Sequence, residues 1–415
     1  MSDVYLSSGL RTPFVKAGGS FAKYTALDLS RPVAAAMAAK ARPDFLIWGQ
    51  VIPDPAISNI GRELVFEAGL DPEIPAFSTV MACSTSFGAA IQASGMVGRG
   101  GTHLALVGGV ETMSHVPLAL KSSVADTIFA QFPKDPEAAL KTLSSVTPDD
   151  YNLPRGWANR ISGRSMGEHT EDTIKRFGIT REEQDRIALW SHQRAIAGQD
   201  EGFFSDLVLP FGDIDHDTFP RRDTSAERLV ALKPAFDPVN GSLTAGNSSP
   251  LTDGASSLWV ADKEGLARLG GAYAAKLVDW EIAAMDFRLD EGILMAPARA
   301  IPRLLARHGL KFADIALWEI HEAFAAQAAA NVKMASDPAY RREKAKVDVD
   351  LGEFPWDRFN PNGGSTAIGH PFAATGARIL SQAVKELSAM PKGSRAIVSV
   401  CADGGQGTVA LLENV

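Results

Sequence analysis

Four segments of this sequence carry residues that could do chemistry together. Cys83 lies in Val80-Met-Ala-Cys-Ser-Thr-Ser-Phe-Gly-Ala-Ala90, where small residues and an apolar continuation predict a helix starting near the thiol. The partial positive charge of a helix N-terminus favours the thiolate, the form of cysteine that attacks carbonyls. His370 stands between a glycine and a proline in Asn360-Pro-Asn-Gly-Gly-Ser-Thr-Ala-Ile-Gly-His-Pro371. An imidazole on so constrained a turn can act as a base towards a thiol or donate a hydrogen bond to an oxyanion. Cys401 opens the run Cys-Ala-Asp-Gly-Gly-Gln-Gly407 after an apolar strand, at the strand end where open α/β sheets bind ligands. Its glycines leave backbone N–H groups free to approach an anion. His321 and Glu322 follow another strand in Trp318-Glu-Ile-His-Glu-Ala-Phe324. This segment lacks the second histidine of a zinc-protease helix, so no metal site is expected, and Glu322 reads as a solvated residue at a helix cap. Singly, each segment also has a plain structural reading: a small core cysteine, a turn histidine, a glycine-rich turn.

Strands must deliver these residues. Short apolar runs at Asp44–Trp48, Leu104–Gly108, Asp314–Trp318 and Arg395–Ser399 alternate with helical stretches, which is the rhythm of an α/β fold. The two ends of the chain echo one another, a strand ending in Trp48 preceding Cys83 and a strand ending in Trp318 preceding His370. This implies two similar α/β halves, with the site between them. From Val116 to Asn240, prolines such as Pro117, Pro133, Pro136 and Pro148 interrupt helical segments, as in an insertion. Within it, Thr180-Arg-Glu-Glu183 has capping-box spacing, Ile187, Trp190 and Ala195 continue an apolar face, and Gly198 marks the expected helix end. The expected organisation is thus a first half over 1–115, a loop domain over 116–240, the end of the first half over 241–270 and a second half over 271–415.

Composition narrows the function class. The 415 residues, 45% apolar and 22% charged, suffice for a large two-part globular protein. A formal charge of −8 argues against a nucleic-acid binder. No run reaches the roughly 18–20 apolar residues of a membrane span, and no secretory leader is evident, so the cytoplasm is the expected compartment. Two cysteines supply neither a disulfide framework nor a multi-cysteine metal site.

Taken together, Cys83, His321, His370 and Cys401 resemble the constellation of the thiolase family. The resemblance extends through Arg11-Thr-Pro-Phe14, Gly108-Gly-Val-Glu-Thr-Met-Ser114, Ser165-Met-Gly-Glu168, Lys233-Pro-Ala-Phe-Asp237 and Leu243–Ala255. His321-Glu-Ala-Phe324, where most thiolases have Asn-Glu-Ala-Phe, is similar to the β subunit of the fatty-acid oxidation trifunctional enzyme and its bacterial anaerobic relatives. The resemblance implies a thiolase fold, layered α-β-α-β-α with an inserted loop domain. It implies 3-ketoacyl-CoA and coenzyme A as substrates, with no permanently bound cofactor. His370 would take the proton of the Cys83 nucleophile, and Cys401 would serve as acid and base. The enolate oxygen would meet His370 and His321, and the tetrahedral oxyanion would meet the backbone N–H groups of Cys83 and Asp403. Asp403 departs from the usual glycine or alanine, so its carboxylate either points away or alters the reaction's pH dependence. Ser249 and Met166 match coenzyme A-binding positions, and Arg221 and Arg222 are candidates for its phosphates. The resemblance further implies a homodimer or tetramer, and docking to a hydratase/dehydrogenase α subunit through the insertion. An acetoacetyl-CoA thiolase and a catalytically weak thiolase-fold subunit are the alternatives.

Overall fold

The computed structural model describes residues 2–152, 158–271, 273–289 and 291–415. In the first half, strands β1 (Tyr5–Arg11), β2 (Phe45–Gly49), β3 (Ala76–Thr79), β4 (Leu104–Glu111) and β5 (Thr252–Ala261) are joined by helices α1 (Ala26–Ala38), α2 (Ile60–Glu67) and α3 (Thr85–Arg99). Between β4 and β5 come α4 (Ser122–Gln131), α5 (Pro136–Ser144), α6 (Met166–Phe177) and α7 (Arg181–Asp200). The second half holds β6 (Ala274–Ala284), α8 (Pro297–Arg307), β7 (Leu317–Ile320), α9 (Ala325–Ser336), α10 (Thr375–Ser388), β8 (Arg395–Ala402) and β9 (Gln406–Asn414).

Strand pairing makes the duplication explicit. In the first half β2 runs parallel to β4, β4 antiparallel to β5, and β5 antiparallel to β1. In the second, β7 runs parallel to β8, β8 antiparallel to β9, and β9 antiparallel to β6. The same relations recur in the same chain order. The halves join where β1 pairs with β6, giving one continuous path β7-β8-β9-β6-β1-β5-β4-β2-β3.

Period-two alternation sorts each strand's residues between two helix layers. In β2, Leu46 and Trp48 pack with Leu29, Val33 and Met37 of α1 and Leu64 of α2, whereas Ile47 turns to the other face. That inner face meets Phe87, Ala90, Ala93 and Val97 of α3 and Ile379, Ala383 and Val384 of α10. The same two helices also pack on Leu317, Val398 and Val400 of the second half's strands. Trp318, Ile320, Ile397 and Leu411, on the far side of those strands, pack with Ile301 and Leu304 of α8 and with α9. Helices α3 and α10 are therefore the middle layer of an α-β-α-β-α arrangement, as expected for the fold. Both are built largely from small and aliphatic residues, which a layer covered on two faces requires.

The 116–240 segment, read from the sequence as one insertion, divides here. Residues Val116–Ser165, with α4, α5 and a short ribbon pairing Ala119–Leu120 with Tyr151–Asn152, form a compact unit of their own. Residues 166–240 belong to the main unit, because Ile174 of α6 and Ile187 and Ala188 of α7 enter the core cluster shared with α8 and α9. The capping box of α7 is present: the Thr180 N–H donates to Glu183 Oε2 (2.7 Å) and the Glu183 N–H donates to Thr180 Oγ1 (3.2 Å). Gly198 does not end that helix, which continues to Asp200. A side chain at 198 would come within 2.9 Å of the Phe204 ring, so this glycine permits close packing and not termination.

A glycine also sets the crossing of the middle helices. A Cβ at Gly376 of α10 would lie 2.4 Å from the backbone N of Phe87 in α3. Gly376→Ala is expected to cost about 1–3 kcal/mol by forcing the helices apart. Thermal unfolding should show a lowered Tm, and an unchanged Tm would refute the tight crossing.

Candidate active site

Cys83 sits at the turn from β3 into α3. The preceding Ala82 has φ 45°, in the left-handed region that side chains other than glycine rarely enter. Thr85 Oγ1 holds this turn, accepting from the Met81 N–H (2.8 Å) and donating to the Ala82 carbonyl (2.7 Å). Nothing in the residue types around Ala82 announces that conformation. Ser84 Oγ donates to the carbonyl of Val400 (3.2 Å), fastening the start of α3 to β8 of the other half.

His370 reaches the thiol from the second half. Gly369, at φ 114°, turns the chain where a Cβ would come within 2.8 Å of Thr252 Cγ2. His370 Nε2 lies 3.1 Å from Cys83 Sγ, and Nδ1 lies 2.6 Å from Thr375 Oγ1 in the first turn of α10. Burial pushes the Cys83 thiol up to about 12, with the Asp403 charge adding to the rise. Burial, with the Arg378 charge, pushes His370 down to about 3. Between those limits the thiol keeps its proton and the imidazole stays neutral. The helix terminus favours the thiolate, but the removal of water from around the sulfur outweighs it.

His321, just beyond β7, is fully buried, with its ring centroid 4.4 Å from that of His370. Its Nδ1 lies 2.9 Å from Ser365 Oγ, and its Nε2 has no hydrogen-bond partner among the described residues. Cys83, His321 and His370 each offer an atom within 4.8 Å of the others. One thiol and two imidazoles could in principle ligate a metal, but here the sulfur and His370 Nε2 already share a hydrogen bond.

Glu322 is not the solvated cap residue expected. It is wholly buried and accepts from Ser191 Oγ (2.7 Å), Asn360 Nδ2 (2.6 Å) and the Thr366 N–H (3.2 Å). Asn360, at φ 41°, also exchanges hydrogen bonds with both backbone groups of Ile320. A side chain at Gly364 would strike the Glu322 carboxyl. The carboxylate thus anchors the loop that leads to His370, a role invisible to local sequence because its partners lie up to 131 residues away.

Cys401 lies one residue before the end of β8, opposite Gly407, and is buried; burial holds its thiol protonated, and negative charge developing on the Cys83 sulfur adds to this. In the following turn Gly404 and Gly405 have φ 84° and 70°. The backbone N–H groups of Asp403 and Cys83 face the Cys83 sulfur. The Asp403 carboxylate folds back to accept from the Gly404 N–H (2.6 Å), yet its charge still acts on the thiol. Cys83, His321, His370, Cys401 and the Asp403 amide are therefore gathered at one point. The segment before β5 borders them: Leu251 bridges to His370, Ser248 to Phe324, and the half-buried Ser249 donates its N–H to the Ala323 carbonyl (3.0 Å). Met166 heads α6 and packs on the second half's core cluster. Arg222 is exposed and paired with Asp200, and Arg221 lies over the Phe219 ring, its N–H donating to His192 Nδ1 (3.1 Å).

The neutral resting pair is testable. Thiolate absorbance near 240 nm, taken as the difference between wild type and Cys83→Ser, should be absent from pH 7 to 9. Asp403→Ala should move the thiol's titration to lower pH. A thiolate signal already present at pH 7 would contradict the first expectation, and an unmoved titration in Asp403→Ala the second.

The comparisons with known proteins point to one family. Residues 4–264 match the family description "Thiolase, N-terminal domain" and residues 272–414 match "Thiolase, C-terminal domain". A protein of Yersinia enterocolitica named 3-ketoacyl-CoA thiolase is 35% identical, covering 99% of this chain and 96% of the relative. One of Erwinia tasmaniensis with the same name is 36% identical over the same shares. Among solved structures, the Bacillus anthracis acetyl-CoA acetyltransferase superposes with a TM-score of 0.82 at 28% identity, covering 100% of this chain and 99% of that one. Acat5 thiolase from Ascaris suum, solved in complex with coenzyme A, gives 0.80 at 25% identity, with 100% of both chains covered. With its duplicated α/β halves and paired thiols around a buried imidazole, the chain belongs to the thiolase family of acyltransferases.

Proposed function

We propose that this protein is a 3-ketoacyl-CoA thiolase that cleaves its substrate with coenzyme A to acetyl-CoA and a shortened acyl-CoA. The observation that carries the reading is the 3.1 Å contact between Cys83 Sγ and His370 Nε2, with the second thiol of Cys401 close enough to Cys83 to feel its charge. His370 takes the thiol proton as Cys83 sulfur bonds to the 3-keto carbon, and the tetrahedral oxyanion is met by the N–H groups of Cys83 and Asp403. Because the resting pair is neutral, charge separation is deferred until the substrate carbonyl is in place. The C2–C3 bond then breaks, its electrons forming the acetyl-CoA enolate, whose oxygen faces His321 and His370. Cys401 donates the proton to C2. Its thiolate next removes the proton of incoming coenzyme A, whose sulfur attacks the acyl carbon and releases Cys83.

Ser249 and Met166 are assigned to the coenzyme A path, and Arg221 is the freer of the two arginines for its phosphates. The names of the bacterial relatives support a 3-ketoacyl-CoA substrate, and the histidine at 321 supports assignment to fatty-acid β-oxidation. We further assign a homodimer or tetramer in the cytoplasm, with a hydratase/dehydrogenase α subunit as candidate partner; light scattering showing a monomer at micromolar concentration would count against the assembly. No helix among the described residues is long and apolar enough to cross a membrane. An acetoacetyl-CoA thiolase uses the same residues, and the acetyltransferase among the structural neighbours keeps that reading in view.

Thiolysis of 3-ketoacyl-CoA substrates of four to sixteen carbons decides between them. Turnover should extend to long chains and vanish in Cys83→Ala. Activity confined to four carbons would favour the acetoacetyl enzyme, and no turnover at any length would indicate a non-catalytic subunit.

A further inference from the structure

A line of three buried polar side chains ends on His321. Arg378 Nη2 donates to Ser365 Oγ (2.7 Å), and Ser365 Oγ lies 2.9 Å from His321 Nδ1. Ser365 and His321 are 0% exposed and Arg378 is 2% exposed, so water does not compete for these bonds. A guanidinium has donors and no acceptor, and a hydroxyl has a single proton. Ser365 Oγ accepts from Arg378 and is left with its own proton to give, and His321 Nδ1 stands in line to receive it. In the opposite tautomer both neighbours would donate to Ser365 Oγ, and the hydroxyl proton would have no acceptor among the described residues. The ring proton of His321 therefore belongs on Nε2, the buried nitrogen that has no partner among the described residues, on a ring packed against that of His370 at a centroid distance of 4.4 Å.

His370 requires the reverse. Its Nε2 faces a thiol that must lose a proton to it, so its own ring proton belongs on Nδ1, against Thr375 Oγ1. Thr375 and Arg378 stand three residues apart on one face of the first turn of α10. A single helical turn thus addresses both imidazoles, one directly and one through Ser365. Glu319 and Glu322 favour the Arg378 charge, although burial raises both carboxyls above the usual carboxylate range, and Gln382 Oε1 accepts weakly from its Nη1 (3.4 Å).

We propose that Arg378 and Ser365 are positioning residues that lock His321 in its Nε2–H tautomer, presenting a preorganised donor to the reacting centre while His370 is held in the opposite tautomer as acceptor. The catalytic part of this inference rests on the thiolase reading above; the tautomer itself does not. It explains why a cation is buried in the middle layer, where an aliphatic residue would otherwise fill the space at less cost.

Two-bond 15N–1H correlation spectra of 15N-histidine-labelled protein, with His321 assigned through His321→Asn, read the tautomer directly. Wild type should show His321 protonated at Nε2 and bare at Nδ1. Ser365→Ala should lose that preference and lower kcat on the order of tenfold with KM little changed, short of the roughly 10²–10³-fold cost of removing an oxyanion donor itself. Ser365→Thr, which restores a hydroxyl, should recover both. A proton on Nδ1 in wild type overturns the proposal whether or not any variant folds, as does a Ser365→Ala protein with unchanged tautomer and kcat. Should wild type show no thiolysis, the functional reading fails, and the spectra still decide the tautomer.

Discussion

Because Gly376 has no side chain, α10 approaches α3 until its backbone nearly touches that of Phe87, and the position of the reactive atoms follows from that contact. Cys83 precedes the first residue of α3, and His370 lies five residues before the first residue of α10. Two helices crossed this closely, and covered by a sheet on each outer face, have no freedom to slide without opening a void in a close-packed interior. The 3.1 Å separation of sulfur and imidazole is thus a property of the middle layer more than of the loops that carry the two residues.

Burial then sets the chemistry. The same layer that fixes the distance also strips water from both groups, holding Cys83 as a thiol and His370 as a neutral base. Polar groups that remain inside are given partners: Glu322 accepts from three donors, and Arg378 donates to Ser365 and Gln382. Asp403 is the carboxylate that acts against the thiolate, a consequence of a side chain where the Cys401 turn could accept a smaller residue.

The candidate site residues and the repeated α/β plan were legible because they are local: a strand, a turn and a helix start each leave a signature in a few adjacent residues. Cys83, His321, His370 and Cys401 could each be singled out this way, and the family resemblance joined them. What could not be read was whatever depends on distant partners. Glu322 looked solvated because Ser191 and Asn360 are far away in sequence. The thiolate looked favoured because the helix terminus is visible in the sequence and desolvation is not. Gly198 looked like a stop because the ring of Phe204, which it must admit, folds back from beyond the helix. The left-handed Ala82 left no trace at all.

The equivalence of the two halves has one more consequence. By pairing and chain order α3 corresponds to α10, so Cys83 and His370 stand at matching ends of matching elements. The offsets differ, however: Cys83 lies two residues before α3 and His370 five before α10, so the halves do not match residue by residue at the site. Within one chain each half can carry a group that the other lacks at the corresponding place, since the two positions can change independently. The thiol and the imidazole that meet at the site are thus each supplied by a different half.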